Sequence, residues 1–315
     1  MEQSNCILCH KPGWPWFQKA DKFPPHELFR VVKCPQCGLA WVNPRPAADE
    51  IGRYYPSTYS WKPEGDGPPS RIHQLEKAYR FHLLRFETRQ LIAHAQLDKG
   101  DLVLDVGCSS GDRLLVMRDA GLVPSGVETS PAADYARDRL GFDVRRGTLE
   151  EAHFPEARFR AVTLYNVMEH VHDPRRLLAE VRRILAPGGR LVVQVPNVAS
   201  LQARIFQGRW AAVDVPRDLY YYTPRLLGRL LDAEEFEAMA VVYHTSLLHP
   251  PTAAISAVPW ADPQRFWQAE SSGSALEGLA RRLVWAGLTV AAMAPVWLES
   301  RTGYSAIPTT FARKK

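Results

Sequence analysis

The run Leu102-Val103-Leu104-Asp105-Val106-Gly107-Cys108-Ser109-Ser110-Gly111 joins a short apolar segment to a glycine turn, and a helix-like segment over 112–120 follows it. This order predicts a strand, a tight turn and a helix, an arrangement that holds a small ligand between the strand's carboxyl end and the helix's amino end. Gly107 allows the backbone to approach a ligand, and Gly111 allows the helix to pack on the strand. An ordinary strand-to-helix turn is the alternative.

The carboxylate before the turn distinguishes this run from a dinucleotide-binding motif. The glycines are spaced GxxxG rather than GxGxxG, and Asp105 precedes them. An acid at this position suits a ligand with a positive charge or with hydroxyl and amine donors. Glu128 ends the next predicted strand, where a carboxylate can accept two hydrogen bonds from a ribose diol. A surface glutamate at a strand end is the alternative for Glu128.

The chain around this run alternates strands and helices, which predicts a parallel sheet with helices on both faces. The first five strands are predicted at 102–106, 123–127, 142–145, 161–165 and 190–195. A long amphipathic helix is predicted before them at 70–97. Helices at 200–206 and 224–232 and strands at 236–243 and 304–312 are predicted after them.

Four of the five cysteines form two pairs, Cys6-x-x-Cys9 and Cys34-x-x-Cys37. The first ten residues have neither the basic start nor the apolar run of a secretory signal, so the pairs favour a metal over disulfides. Four thiolates suit a tetrahedral zinc ion with no open position, and the site is therefore expected to be structural. Four reduced, unligated thiols are the alternative.

The length and composition are those of a globular chain with one large core and a small added module. The predicted divisions are a zinc-ribbon module at 1–46, a linker and long helix at 47–99, the sheet-containing core at 100–246, a helical insertion at 247–302 and the last core strand at 303–315. The net charge of +5 is compatible with an anionic partner. A cytoplasmic location is expected from the absence of a signal.

Further motifs follow in order: Gly126-Val127-Glu128, Asn166-Val167-Met168-Glu169-His170-Val171-x-Asp173-Pro174, Leu185-Ala186-Pro187-Gly188-Gly189 and Val195-Pro196-Asn197. With the run around Asp105, they resemble the ordered motifs of class I S-adenosylmethionine-dependent methyltransferases. Cys34-Pro-x-Cys37-Gly38-Leu39 and Asn43-Pro44-Arg45-Pro46 resemble the zinc ribbon of some bacterial members, which are similar to enzymes that methylate small molecules. The resemblance implies a Rossmann-like, seven-stranded sheet whose last strand runs antiparallel.

The resemblance also implies where S-adenosylmethionine binds. The glycine turn lines the methionine part, Glu128 holds the ribose, and the turn around Thr148 flanks the adenine. The implied contact residues are Asp105, Gly107, Cys108, Ser109, Gly111, Glu128, Thr129, Thr148, Leu149 and Asn166. The chain departs from the family where Ser109 replaces a middle glycine, where Thr148 replaces an aspartate, and where Phe159-Arg160 replaces Phe-Asp.

The enzyme has to align the acceptor with the methyl group and exclude water, because the cofactor already carries that methyl group in activated form. A hydroxyl or carbon acid also needs a base. His170 is the first candidate, with Glu169 beside it, at the carboxyl end of the fourth strand. Ordering of the loop before the helix at Asp173 is the alternative role for His170.

The segment 216–223 is a second candidate for the substrate-binding site, beside the segment that contains His170. It resembles a family segment with two histidines over the substrate, and Asp218 and Tyr221 occupy the histidine positions here. Asp218 or a tyrosine such as Tyr222 is then the candidate base. Substrate binding without a base, or aromatic packing under a loop, are the alternatives.

The segment 283–298 has sixteen residues without a charge. It is shorter than the roughly 20 residues that span a bilayer, and Pro295 interrupts it. A buried helix or a subunit contact is the favoured interpretation. An interfacial helix that reaches a lipid-linked substrate, and so a peripheral membrane contact, is the alternative.

These features favour a zinc-ribbon class I methyltransferase that acts on a small molecule, at a hydroxyl of a sugar or secondary metabolite. An RNA methyltransferase is the first rival, because of the ribbon and the positive charge. The basic residues are scattered, however, and do not gather into one patch with aromatic residues. A non-catalytic binding protein that keeps the fold is the second rival, motivated by the departures at Thr148 and Arg160.

Overall fold

The computed structural model describes residues 1–56, 71–243, 249–261 and 275–315. The chain divides into two compact units. The first comprises Met1–Tyr59, Val195–Leu227 and Tyr243–Pro308, and the second comprises Ser60–Gln194, Gly228–Val242 and Thr309–Lys315.

The described strands are β1 (Trp14–Ala20), β2 (Leu28–Lys33), β3 (Ala40–Val42), β4 (Leu102–Val106), β5 (Val123–Glu128), β6 (Asp143–Arg146), β7 (Phe159–Tyr165), β8 (Leu185–Gln194), β9 (Tyr220–Tyr221), β10 (Phe236–Val242) and β11 (Thr309–Lys314). The described α-helices are α1 (Arg71–Ala95), α2 (Asp112–Asp119), α3 (Ala132–Asp138), α4 (Pro174–Ile184), α5 (Leu201–Phe206), α6 (Pro224–Ala233), α7 (His249–Ala257) and α8 (Ala275–Ser300). Short 3-10 helices cover Ile51–Tyr54, Met168–His170, Gln207–Arg209 and Pro259–Ala261.

The second unit contains a seven-stranded sheet in the order β10-β11-β8-β7-β4-β5-β6. Strands β4 to β8 pair in parallel, and β11 runs antiparallel to both β8 and β10. The predicted seven-stranded sheet with an antiparallel last strand is therefore confirmed. The central strands β4 (LVLDV) and β7 (FRAVTLY) are mostly apolar and almost entirely buried, as expected where helices cover both faces of a parallel sheet.

The parallel register brings the carboxyl ends of β4, β5 and β7 to one edge of this sheet. Asp105 pairs with Gly126 on one side and with Thr163 on the other. Val106 pairs with Val127, so Glu128 stands one residue beyond the last pair. This edge carries the glycine turn and the candidate ligand-binding residues.

Two predicted boundaries differ from the structure. The last strand, predicted at 304–312, begins only at Thr309, since Pro308 has no N–H to give to a ladder. The residues before it bond to Asn197 instead, whose backbone N–H donates to the Ala306 carbonyl at 2.7 Å and whose Nδ2 donates to the Ser305 carbonyl at 3.1 Å. The predicted turn at 187–189 lies within β8 as an irregularity between two stretches of pairing with β7.

The long helix α1 uses only part of its predicted apolar stripe. Of the residues whose helical spacing predicts the stripe, Leu83 is buried but Leu75 and Tyr79 are exposed, and the buried Leu91 lies one position before the predicted Ile92. The described core of the second unit therefore packs against the later turns of α1. It consists chiefly of Leu91, Ala95, Val103, Leu114, Met117, Ala133, Ala136, Val144, Ala161, Val192 and Phe311.

The first unit contains a four-stranded antiparallel sheet in the order β1-β2-β3-β9. Its core joins residues from the cysteine-containing region to residues near 210–221 and 306–307. A fully buried guanidinium supports this arrangement, since Arg217 Nη2 donates to Asp21 Oδ1 at 2.5 Å and to Asp214 Oδ1 at 2.7 Å.

Helix α8 is not a buried helix in the described structure. Its segment Leu283–Ser300 is long and apolar enough to cross a membrane by length and composition, yet only 17% of it is buried. The prediction of a buried helix for 283–298 is therefore wrong within the described chain, because on this segment most of the large apolar side chains are exposed and Val296 is the one that is buried, while the alternative of a subunit contact stays a prediction.

Candidate functional site

The glycine turn after β4 is attached to the end of the neighbouring strand. The N–H groups of Gly107 and Cys108 donate to the Val127 carbonyl at 2.8 and 3.2 Å. Gly107 has φ +75°, and a Cβ there would lie 2.7 Å from Cγ2 of Val167. Only glycine fits this position without displacing its neighbour, because the Val167 side chain occupies the space that a Cβ would need.

Glu128 joins the turn to the end of β5. Its Oε2 accepts from the Ser109 N–H at 3.0 Å, and its Oε1 accepts from the Ser130 N–H at 2.8 Å and from the Thr129 hydroxyl at 3.5 Å. A carboxylate offers about four lone-pair sites, so acceptor capacity remains for a ligand's hydroxyl groups. Glu128 is half-buried and thus fits a ribose diol at this place.

Ser109 keeps the backbone shape expected of the glycine it replaces. Its φ is +48°, in the left-handed region, and its N–H serves Glu128. Gly111, at φ +87°, stands at the start of α2, where a Cβ would lie 3.1 Å from Cβ of Ala136. The departure at Ser109 therefore leaves the turn's geometry intact.

Asp105 is buried beneath the turn. Its Oδ1 accepts from the Thr163 hydroxyl at 2.5 Å, and its Oδ2 lies 3.9 Å from Nε of Arg113. Burial raises the pKa of Asp105 to about 6, although the Arg113 charge and the Thr163 hydrogen bond both oppose the rise. A carboxyl that titrates near neutral pH thus lies at the strand end that faces the turn.

Arg113 and Glu87 complete this buried charge cluster, and sequence reasoning missed both. Arg113 Nη1 lies 2.8 Å from Oε2 of Glu87, and its guanidinium carbon lies 3.6 Å from the centre of the Tyr165 ring. Glu87 belongs to α1 and is almost fully buried. The sequence signal for this cluster was the position of Glu87 among the apolar residues of α1, because a charge on the inward face of a helix needs a partner.

The turn after β6 carries Thr148 and Leu149. The Gly147 N–H donates to the Glu128 carbonyl at 3.0 Å, which attaches this turn to the end of β5. The Thr148 N–H donates to Glu151 Oε2 at 2.8 Å, and the Thr148 hydroxyl accepts from the Glu151 N–H at 3.3 Å. Thr148 thus stabilises its own turn, while the Leu149 side chain is buried beneath it.

The residues after β7 form a short connection to α4. Asn166 is exposed at φ +54°, and its N–H donates to the Gln194 carbonyl at 2.8 Å. Glu169 is buried and His170 is half-buried in the 3-10 helix that follows. Asp173 caps α4 with its own carboxylate, which accepts from the Arg176 N–H at 3.1 Å.

Asp218 and Tyr222 lie in the first unit, and both are buried. Asp218 Oδ2 accepts from the Asp214 N–H at 2.7 Å, and the Asp218 N–H donates to the Asp214 carbonyl at 2.8 Å, so Asp218 closes its own loop. The Tyr222 carbonyl accepts from the Val198 N–H at 3.0 Å. Their assignment as candidate bases stays a prediction.

The two cysteine pairs have the same backbone geometry. In the first, the Cys6 N–H donates to the Lys11 carbonyl, and the His10 N–H donates to the Cys6 carbonyl. In the second, the Cys34 N–H donates to the Leu39 carbonyl, and the Gly38 N–H donates to the Cys34 carbonyl. The two loops are therefore a structural repeat, each presenting its sulfurs from one tight turn.

The four cysteine sulfurs converge. All four lie within 4.8 Å of one another, and Sγ of Cys6 and Cys37 are 3.5 Å apart. Zinc with four sulfur ligands at about 2.3 Å separates them by roughly 3.8 Å, so the spacing fits such an ion. Burial raises the pKa of Cys34, but hydrogen bonds from the Cys37 and Gln36 backbone outweigh burial and lower it to about 7.

Comparison with known proteins identifies the region that contains this site. Residues 73–241 match the family model described as a methyltransferase domain. A Xanthomonas axonopodis pv. citri ubiquinone/menaquinone biosynthesis C-methyltransferase is 26% identical over 181 residues, which cover 53% of this chain and 67% of that protein. A Coxiella burnetii ubiquinone biosynthesis O-methyltransferase is 27% identical over 143 residues, which cover 44% of this chain and 56% of that protein.

The fold is also similar to that of a solved structure. The crystal structure of the (4+2)-cyclase SpnF superposes with a TM-score of 0.52 at 20% identity, covering 86% of this chain and 97% of that one. The fold therefore does not specify the reaction by itself.

The chain spans only part of some curated relatives that it matches. Two further relatives are matched over 32% and 38% of their own length.

The titration of Asp105 should appear in the pH dependence of stability. Because its pKa is higher in the folded chain than in the unfolded one, the free energy of unfolding should fall as the pH rises from about 4 to about 6, by roughly 3 kcal/mol. Asp105→Asn should abolish this fall. Urea unfolding of both proteins at several pH values measures the difference, with Asp119→Asn at an exposed site as control. Parallel curves for wild type and Asp105→Asn would contradict the assignment.

Proposed function

The chain belongs to the methyltransferase-domain family, and from this membership we propose that it transfers a methyl group from S-adenosylmethionine to a hydroxyl group of a small molecule. A sugar or a secondary metabolite is the proposed acceptor. The geometry around Glu128 is the observation that carries the proposal, because the glycine turn and the ribose-binding carboxylate are joined by a hydrogen bond.

The residues at the strand ends fit the cofactor by their chemistry. In this proposal the glycine turn at 107–111 holds its methionine part, and Glu128 accepts from its ribose hydroxyls. Thr129 and the 147–149 turn adjoin the Glu128 end of the site. When bound, S-adenosylmethionine supplies an electrophilic methyl group on a sulfonium centre.

The chain's own residues then have to orient the acceptor and remove its proton. His170 would accept the acceptor's hydroxyl proton on an imidazole nitrogen, while the methyl carbon exchanges its bond to the sulfonium sulfur for one to the acceptor oxygen and a neutral thioether leaves. Asp218 or Tyr222 is the alternative base. The name of the Coxiella relative describes an O-methyltransferase and that of the Xanthomonas relative a C-methyltransferase, and the proposal of oxygen follows the Coxiella relative.

The pairing of basic side chains with carboxylates favours a small molecule over RNA as the methyl acceptor. Many described basic side chains are engaged by carboxylates on the same surface, so they contribute little free positive potential. Such pairs include Arg137 with Asp134, Arg146 with Asp134, Arg183 with Glu180, Arg313 with Glu237 and Lys315 with Asp232. An extended phosphate backbone would instead require a continuous basic patch.

We also propose that Cys6, Cys9, Cys34 and Cys37 bind one zinc ion with a structural role. The repeated loop geometry and the converging sulfurs support this ion. Four protein ligands leave no position for a substrate, so the ion would stabilise the first unit and take no part in methyl transfer.

Cofactor binding should depend on Glu128. Glu128→Ala removes both carboxylate oxygens, and the affinity of the variant for S-adenosylmethionine should fall by at least about tenfold, as the loss of charge-assisted hydrogen bonds implies. Isothermal titration calorimetry of the purified protein measures this, with Glu237→Ala at an exposed site as matched control. Equal affinity of wild type and Glu128→Ala for S-adenosylmethionine would contradict the assignment of Glu128 to the cofactor site. A folded wild type that does not bind S-adenosylmethionine would favour the non-catalytic alternative.

His170→Ala should lower turnover by a factor of about 10² or more while leaving the affinity for S-adenosylmethionine unchanged, because a general base acts only on the acceptor. Transfer of a labelled methyl group to a panel of hydroxylated small molecules, with RNA as a separate substrate, measures turnover. An unchanged rate in His170→Ala would remove this residue as the base. Transfer to RNA alone would overturn the small-molecule proposal.

Purified protein should contain about one zinc ion per chain, measured by atomic emission. Cys37→Ser should lose the metal and lower the unfolding temperature. Cys108→Ser is the matched control, because Cys108 is buried in the glycine turn and lies outside the cluster. A fully folded wild type without metal would refute the zinc site.

A further inference from the structure

Helix α8 presents an apolar face to solvent. No charged residue occurs over 283–298, a segment about 24 Å long at the rise of an α-helix. Large side chains along it are exposed, with Val290 at 66% and Leu298 at 60%. The exposed large apolar side chains of α8 are Leu283, Val284, Val290, Met293, Trp297 and Leu298.

The polar side chains at the end of α8 point inward. Glu299 is 3% exposed, and its carboxylate accepts from the Gln202 N–H at 3.1 Å and from Gln202 Nε2 at 2.8 Å. Ser300 is also buried, and its hydroxyl donates to the Trp297 carbonyl at 2.7 Å. A helix at a protein–water boundary has the opposite arrangement, with apolar residues inward and polar residues outward. This reversal indicates that the outward face meets an apolar environment.

The contact between Glu299 and Gln202 places a second segment with exposed apolar residues, α5, beside α8. Gln202, which holds Glu299, belongs to α5, and the neighbouring Leu201 and Ile205 on α5 are exposed. The Leu201 N–H donates to the carbonyl of Tyr304, which is itself 47% exposed. We call this combined surface, formed by Leu201, Ile205, Leu283, Val284, Val290, Met293, Trp297, Leu298 and Tyr304, the α8 face.

Cations lie against aromatic rings at the ends of the α8 face. The Arg301 guanidinium lies 4.0 Å from the Trp297 ring centre, and the Arg204 guanidinium lies 4.9 Å from that of Tyr304. At the other end, Arg281 lies 5.1 Å from the ring of Trp260, which is exposed. Aromatic residues with adjacent cations are typical of surfaces that meet lipid headgroups. Glu299 is the single carboxylate among the described side chains of α8, and it is buried.

We propose that the α8 face docks onto an anionic phospholipid bilayer, with α8 lying in the plane of the interface. Although Leu283–Ser300 meets the length and composition needed to cross a membrane, its inward side is bonded to the protein through Glu299, so we place α8 in the plane of the interface and not across the bilayer. The apolar side chains enter the boundary between headgroups and acyl chains, and the flanking arginines contact lipid phosphates.

A second copy of this chain is a poorer occupant. A two-fold contact through the α8 face brings the same surface of each copy together, and therefore the arginines of one copy near those of the other. Like charges in such an interface oppose association. An anionic bilayer supplies both an apolar layer and the opposite charge, so it matches the whole face.

Co-sedimentation with vesicles tests the proposal. The full chain should bind vesicles of phosphatidylglycerol and phosphatidylcholine, bind pure phosphatidylcholine more weakly, and dissociate as salt is raised. Met293→Glu should weaken binding at least about tenfold, because it puts a charge where an apolar side chain was buried in lipid. Met239→Glu is the matched control, since Met239 is similarly exposed on β10, and it should bind as wild type does.

Circular dichroism and thermal unfolding report whether each variant is folded, and Leu298→Gln replaces Met293→Glu if the latter does not fold. Arg301→Gln should weaken binding to anionic vesicles and leave binding to neutral vesicles unchanged. Equal vesicle binding by wild type and Met293→Glu would overturn the proposal. A wild-type dimer that Met293→Glu dissociates, in a protein that does not bind vesicles, would overturn it in favour of a second copy.

Discussion

The parallel register of β4 between β5 and β7 is the constraint on which the candidate site depends. It places Asp105 opposite Gly126 and Thr163, and it lets the Val127 carbonyl accept from the glycine turn. A slip of one residue would exchange the two faces of the strand and separate Asp105 from Glu128. The position of the two carboxylates is therefore a property of the sheet as well as of the turn.

The same register buries a carboxyl that the fold has to accommodate. Asp105 is compensated by Thr163 and Arg113, and Arg113 in turn faces Glu87. Removing one member of such a cluster leaves another charge without compensation, which costs more than the pair contributes. Because Glu87 comes from α1, the helix before the sheet contributes to the floor beneath the glycine turn, and the site and the core are electrostatically connected.

Local sequence patterns were sufficient for the strand, turn and helix around Asp105 and for the alternation of strands and helices, whereas the seven-stranded sheet with an antiparallel last strand was implied by the family resemblance. The apolar run before Asp105 and the glycines after it specify their structure within a few residues, which is why the turn and the position of Glu128 could be predicted. The contacts between distant segments could not be predicted. Glu87 and Arg113 are far apart in sequence, and no local period indicates that they meet.

Other differences have similar causes. The outward apolar side chains of α8 were assigned to a buried helix because composition does not specify which side of a helix faces the protein. The start of the last strand was misplaced because the bonds from Asn197 to residues 305 and 306 compete with the ladder. The pairing of β3 with β9 left no signal, since β9 has only two residues.

That pairing has a consequence for the order in which the chain is synthesised. Trp41 pairs with Tyr220, so β3 keeps an open edge until synthesis has passed residue 221. In the same way, β8 lacks its neighbour β11 until the chain has been made through Lys314. Open strand edges can pair with other chains, so each sheet is vulnerable to misassembly until its later strand has been synthesised.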